Sequence, residues 1–392
     1  MEHDPAQVRH VASRLRPFGS SIFATMSRLA LEHDAINLGQ GFPDFHGPSF
    51  IKAAAIEAIE SGHDQYAPSN GVPVLAESIA RHAQERLGRS IDPGRHVTVT
   101  SGCTEAIAAS LLGLLDPGDE VIVIEPYYDS YVAVAAMAHA TCRYVTLESP
   151  GFELPATQLA EAFNDRTRVI IVNTPHNPTG RVFSPEELQV IADLCIKWDV
   201  IALCDEVYEH LVYDREHVSL GSLPGMEDRA IVMSSLGKSF SLTGWKIGWA
   251  IASEGLTGAV RSGHQYLTFA TATPLQHAAA VALDAPEAYF TEFISEYRQR
   301  RDLLLDGLRS VGLVAEPPEG SYFILADHRP LGMPDDVAFC THLITQCGIV
   351  AIPPSVFYSD PSRGSHLVRF SFCKKIQTLQ AAIERLHRLQ AV

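Results

Sequence analysis

From residue 96 onward, apolar positions alternate between short β-branched runs and longer stretches with helical spacing. His96–Thr100 predicts a strand, the apolar run after it a helix ending near Leu115, and Asp116-Pro117-Gly118-Asp119 a turn. Val121–Glu125 and Val169–Val172 predict further strands, with a helix around Ser130–His139 between them. Ser184-Pro185-Glu186-Glu187 has capping-box spacing with proline at the first helical position, so a helix starts there. Val200–Cys204, Ala230–Met233 and Ile247–Ala252 continue the series of strands. Strands that alternate with helices imply an α/β fold with a mainly parallel sheet covered on both faces.

The two ends read differently. Residues 1–45 lack strong periodicity and predict an arm. Residues 46–286 hold the alternating pattern and predict one large domain. From about 287 the order is a charged helix, a strand Tyr322–Ala326, a helix Asp335–Cys347, a strand Leu367–Phe372 and a last helix. That order predicts a smaller α/β domain over 287–392, joined by the arm.

Composition narrows the class of function. Of 392 residues, 46% are apolar and 19% charged, enough for a sizeable core and unlike a disordered chain. Lys and Arg number 30 against 46 acids, a net −16 that disfavours nucleic acid or an anionic membrane as partner. The apolar runs Ala106–Leu115 and Val132–Ala138 are about half of the ~20 residues that span a bilayer. The acidic start predicts no signal peptide, and seven scattered cysteines without a C-x-x-C read as reduced thiols. A cytoplasmic location is expected.

Familiar ligand motifs fail on inspection. Gly237-Lys238-Ser239 ends like a phosphate-binding loop, but Val232 stands where that motif needs glycine. Gly39-Gln40-Gly41 could open a dinucleotide fingerprint, but Asp44 occupies the third glycine position. The 17 histidines show no ligand spacing, and no metal is expected.

Four segments that each follow a predicted strand remain. Ligands of open α/β sheets bind beyond the carboxyl ends of the strands, so the four can converge. Ser101-Gly102-Cys103-Thr104 opens a helix, whose free N–H groups suit a phosphate. Asn173-Thr174-Pro175-His176-Asn177-Pro178-Thr179-Gly180 is an irregular loop with amide donors, or an ordinary tight turn. Asp205-Glu206-Val207-Tyr208 places an acid at the end of a buried strand, as a ligand-facing carboxylate or a helix cap. Ser234-Ser235-Leu236-Gly237-Lys238-Ser239-Phe240 and Thr243–Trp249 add a lysine among serines and glycines. A phosphate cradle, an acid for a ring nitrogen, Asn and Tyr for a phenolic oxygen and a lysine for an imine are together what pyridoxal 5′-phosphate requires.

These segments, with Asn37-Leu38-Gly39-Gln40-Gly41-Phe42-Pro43-Asp44-Phe45, resemble fold-type I, class I/II pyridoxal-phosphate aminotransferases over nearly the whole chain. The resemblance implies the aspartate aminotransferase-like PLP-dependent transferase fold, a large domain with a seven-stranded-type sheet plus a smaller α/β domain. Gln65-Tyr66-Ala67-Pro68, His264–Phe269 and Ala351–Tyr358 resemble the methionine aminotransferase and kynurenine–oxoglutarate aminotransferase branch.

The resemblance implies that Lys238 forms the imine with the cofactor, Asp205 keeps the pyridine nitrogen protonated, and Asn177 and Tyr208 bond the phenolic oxygen. Tyr128, rather than Tyr127, would stack on the ring. Ser235, Lys246 and the turn Gly102-Cys103-Thr104 would hold the phosphate; Cys103 departs from the small residue usual there. Arg369 would grip the substrate carboxylate, helped by Asn173 and the Gly41 amide. Phe23, Tyr66, His264, Tyr266, Phe269, Tyr322 and Phe357 would line the side-chain pocket, with Tyr66 reaching the phosphate across a homodimer interface. The implied activity is ping-pong transfer of an amino group from a methionine-like, aromatic or kynurenine-like L-amino acid to a 2-oxo acid. The alternative is cysteine-S-conjugate β-lyase chemistry with the same cofactor.

Overall fold

In a computed structural model, residues 10–18 and 22–391 are described. Its centre is a seven-stranded sheet built from β2 (Val97–Thr100), β3 (Glu120–Glu125), β4 (Thr141–Thr146), β5 (Thr167–Asn173), β6 (Ile201–Asp205), β7 (Ala230–Ser235) and β8 (Gly248–Ile251). Two short strands complete a second pairing, β1 (Ile36–Asn37) parallel to β11 (Ile349–Val350). A three-stranded antiparallel sheet has β10 (Phe323–Asp327) between β9 (Val314–Ala315) and β12 (Leu367–Ser371).

The strand order of the large sheet is β2-β8-β7-β6-β5-β3-β4. All neighbours are parallel except that β8 runs against both β2 and β7. The interior strands β3, β6 and β7 are buried at every position, as continuous apolar runs in a doubly covered sheet require. Edge strand β4 has the mixed sequence Thr-Cys-Arg-Tyr-Val-Thr and is exposed at its start, and its weak apolar signal hides it in the sequence.

The helix Pro185–Trp198 begins where its capping box predicts. Ser184 accepts from the Glu187 amide, and the Glu187 side chain accepts from the Ser184 amide. Helix Ile22–Glu32 lies in the segment read as an arm, and its Ile22, Met26 and Ala30 pack with Ile344, Val350, Ile352 and Phe357. The predicted helix Asp335–Cys347 is divided: an α-helix over Asp336–His342 passes into a π-turn over Leu343–Cys347. Among the described residues, no helix is long and apolar enough to cross a membrane.

Register decides what meets at one edge of the large sheet. Asn173 ending β5 pairs with Asp205 ending β6. Because β8 is antiparallel, its first residue, Gly248, pairs with both Ser235 ending β7 and Thr100 ending β2. Four sequence-distant strand ends and one strand start are thereby brought to the same edge.

Candidate active site

A cavity opens at that edge, lined by Gly102, Cys103 and Thr104 from the helix start, Tyr128 and Tyr131, Asn173 and Asn177, Asp205 and Tyr208, and Ser235, Lys238 and Lys246. All four segments picked out in the sequence contribute to it.

The phosphate-cradle region is built by close backbone approach. Gly102 has φ +74°, and a Cβ there would sit 3.3 Å from Lys246 Nζ. A Cβ on Gly248 would come within 2.6 Å of the Cys103 nitrogen, so only glycine lets β8 pass the helix start. Lys246 is itself left-handed at φ 55°, closing the 3-10 turn Thr243–Trp245. It has no ion-pair partner among the described residues. A cation, a hydroxyl on Ser235 and the first amides of a 13-residue helix therefore face one space, a donor set suited to a phosphate dianion.

Asp205 is buried and receives neutral donors: Tyr131 Oη at 2.6 Å on Oδ2, the Val207 amide at 3.3 Å and the Cys103 thiol at 3.6 Å on Oδ1. Burial raises its pKa, with these donors opposing. A protonated ring nitrogen beside the carboxylate would supply a counter-charge. The cradle and this acid together fit pyridoxal phosphate.

Lys238 Nζ donates to Tyr322 Oη at 2.9 Å, and Tyr322 Oη donates to the Gly41 carbonyl at 2.6 Å. Burial lowers the Lys238 pKa and nearby Arg369 acts the same way, while Cys373 and Asp205 oppose. Tyr208 is buried with its ring edge-on to Tyr322, 5.1 Å between centroids. Tyr128 lines the cavity, and burial pushes its pKa to about 12. Tyr127 instead stacks on Tyr144 at 5.8 Å.

Arg369 on β12 is buried between aromatic rings, its guanidinium 4.2 Å from the Phe323 centroid and 5.0 Å from that of Phe357. It donates to Asn177 Oδ1 at 3.2 Å and to the Gly39 carbonyl at 2.9 Å, and burial lowers its pKa to about 10. Asn173 is engaged elsewhere: its Nδ2 donates to the Asp205 carbonyl at 2.8 Å, and its Oδ1 accepts from the Asn177 amide at 2.8 Å. Asn173 thus ties two site loops together while lining the cavity. Gly41 packs against the rings of Tyr322 and Phe323.

Several expected pocket residues are not brought to the cavity within one chain. Tyr66 is 85% exposed, Tyr266 89% and Phe269 39%, with Tyr66 and Phe269 meeting edge-on at 5.5 Å. His264 lies behind the helix start, its Nδ1 2.6 Å from Glu105 and its Nε2 2.6 Å from the Ser69 carbonyl. Phe357 acts on Arg369 and does not line the cavity. Phe23 belongs to helix Ile22–Glu32, and its side chain lies outside the described residues. Sequence reasoning missed Tyr131, although its i+3 spacing from Tyr128 puts the two on one helix face.

Residues 33–386 match the family model Aminotransferase class I and II. The chain is 46% identical over 386 residues to a probable N-succinyldiaminopimelate aminotransferase of Mycobacterium tuberculosis, covering 95% of this chain and 97% of the relative. It is 39% identical over 378 residues to the methionine aminotransferase of Escherichia coli, covering 96% and 98%. The solved structure of N-succinyldiaminopimelate aminotransferase from M. tuberculosis superposes with a TM-score of 0.94 at 46% identity, covering 97% of this chain and all of that one.

Proposed function

We propose a substrate class and residue roles for a chain that belongs to the class I and II aminotransferases and therefore works with pyridoxal 5′-phosphate. The amino donor is an L-amino acid with a thioether, apolar or aromatic side chain, and the acceptor is a 2-oxo acid. The observation that supports an amino-acid donor is Arg369, a buried cation for the α-carboxylate, and its walls, Phe323 and Phe357, are apolar rings with no second cation among them.

When bound, pyridoxal phosphate supplies a carbonyl for amino-group capture and a ring that withdraws electrons from the substrate Cα. Every other task falls to the chain. Lys246, Ser235 and the amides of Cys103 and Thr104 hold the phosphate, while Tyr128 covers the ring face. Asp205, kept in place by Tyr131 and Cys103, holds the proton on the ring nitrogen. Tyr208 and Asn177 orient the phenolic oxygen. Arg369 fixes the α-carboxylate and so aims the Cα–H bond. Lys238 Nζ, whose pKa burial lowers, would serve as the base that accepts that proton and as the acid that gives it back. The exposed aromatic surface of Tyr66, Tyr266 and Phe269 supports a homodimer in which these rings complete the partner's pocket.

The 46% identity to a succinyldiaminopimelate aminotransferase supports a second reading, a donor with a long side chain ending in a carboxylate. The test is a half-reaction without oxo acid, following cofactor absorbance and products for L-methionine, L-phenylalanine and N-succinyl-diaminopimelate. Stoichiometric conversion with one 2-oxo acid from methionine or phenylalanine supports the first reading. A higher kcat/KM for the succinylated donor gives the second, and release of a thiol, ammonia and pyruvate from an added cysteine S-conjugate, whose sulfur leaves from Cβ, gives the lyase. Lys238→Ala is expected to abolish turnover in a folded protein, and substantial residual transamination refutes its role.

A further inference from the structure

Behind the turn that carries Asp205 and Tyr208, three side chains converge that none of these tasks employs. His82 projects from helix Pro73–Leu87, and Glu209 and His210 follow Tyr208 directly. One ligand atom from each lies within 4.8 Å of the other two.

Their surroundings suit a cation. His82 Nε2 is shielded from solvent with no hydrogen-bond partner. The rings of His82 and His210 are 5.1 Å apart, and His210 is clamped by stacking on Phe290 at 4.4 Å. Glu209 Oε1 accepts from Ser234, the outer-shell support expected of a ligating carboxylate.

Arg86 is the competitor. It contacts Glu209 Oε2 without hydrogen-bond geometry and also pairs with Glu206, which is further held by His217 at 3.1 Å and Ser219 at 2.6 Å. An ion at Glu209 would therefore leave Arg86 on Glu206. Two carboxylates, Glu206 and Glu209, thus share the one guanidinium of Arg86.

We propose that His82, Glu209 and His210 bind a divalent transition-metal ion of the zinc class, which braces the Asp205–His210 turn against helix Pro73–Leu87. Two nitrogens and one carboxylate oxygen match the borderline preference of that ion, with water in a fourth position. Tetrahedral ligands about 2 Å from the ion lie about 3.3 Å apart, so small side-chain rotations close the present spacing. The site is hidden in the sequence because His82 is far along the chain from Glu209 and His210.

The holoenzyme, freed of metal with a chelator, is titrated with Co²⁺ as a spectroscopic probe and then with Zn²⁺. The expected result is visible d–d absorption that saturates at one equivalent per chain and is displaced by Zn²⁺. His82→Ala and His210→Phe are expected to weaken Co²⁺ binding by at least ~100-fold, beyond the loss caused by outer-shell changes, while the cofactor spectrum persists. No saturable one-equivalent binding by the unaltered holoenzyme overturns the proposal, whatever the variants do. Binding unchanged in His82→Ala also overturns it and points to another site, such as the stacked His63–His277 pair.

Discussion

Lys238 is held by a neutral hydroxyl: its Nζ donates to Tyr322 Oη at 2.9 Å, and the tyrosine passes its own hydrogen to Gly41. The lysine is thus aimed without an ion pair that would lock it in the charged form. Tyr322→Phe is expected to lower kcat about tenfold, the loss of roughly 1.4 kcal/mol of positioning. Losing an acceptor of the ammonium also depresses the Lys238 pKa further, moving the acid limb of the kcat–pH profile to lower pH. An unshifted profile with unchanged kcat removes Tyr322 from the machinery.

Tyr131 gives Asp205 its shortest hydrogen bond, at 2.6 Å. Tyr131→Phe leaves the carboxylate with weaker donors and raises its pKa beyond what burial already does. Cofactor retention on dialysis is expected to fall, with kcat/KM down about tenfold. Asp205→Asn, which removes the counter-charge itself, is expected to lower kcat by about 10²–10³-fold. Equal effects of the two changes would contradict this division of labour.

Arg369 presents a planar fork between two rings. Arg369→Lys keeps a cation but loses the fork and the stacking, so kcat/KM is expected to drop about 100-fold, mostly through KM. Steady-state kinetics with L-methionine checks it; a change confined to kcat would place Arg369 outside substrate binding.

The buried pair His264–Glu105 predicts a pH window for stability. Burial alone would lower the His264 pKa, but the Glu105 bond and charge outweigh it and hold the value above 6.5. Burial alone would raise Glu105, but His264 and the Ser101 amide hold it below 4.5. The pair's stabilisation is complete between pH 4.5 and 6.5. It is lost as pH falls through the depressed Glu105 value and as pH rises through the raised His264 value. His264→Gln is expected to cost about 3 kcal/mol within that window and less above it. Denaturant unfolding at several pH values measures the difference, and a constant gap excludes an ionised pair.

Much of this site is readable from the sequence because each chemical segment directly follows an apolar strand, and strand ends in register must be neighbours. Asn173 beside Asp205 is the clearest case. The Ser184 capping box was equally plain, since its signal is local. Strand β4 and Tyr131 were not. One is a polar edge strand, and the other is a tyrosine whose partner stands 74 residues away. Tyr66 and Phe269 carry recognisable residue types, yet both are exposed in the chain and do not line the cavity.

The reversed direction of β8 has a consequence for how the site can change. A parallel strand after β7 would need a crossover to the far edge of the sheet. With β8 antiparallel, the chain leaves β7 at Ser235 and re-enters at Gly248 without leaving the cavity mouth. Lys238 and Lys246 therefore hang on a single short tether, anchored at both ends by backbone pairing. Lengthening that tether would detune both amines at once, whereas loops from the other strands can be remodelled one at a time. Substrate preference can drift through the rest of the site while this span stays fixed in length.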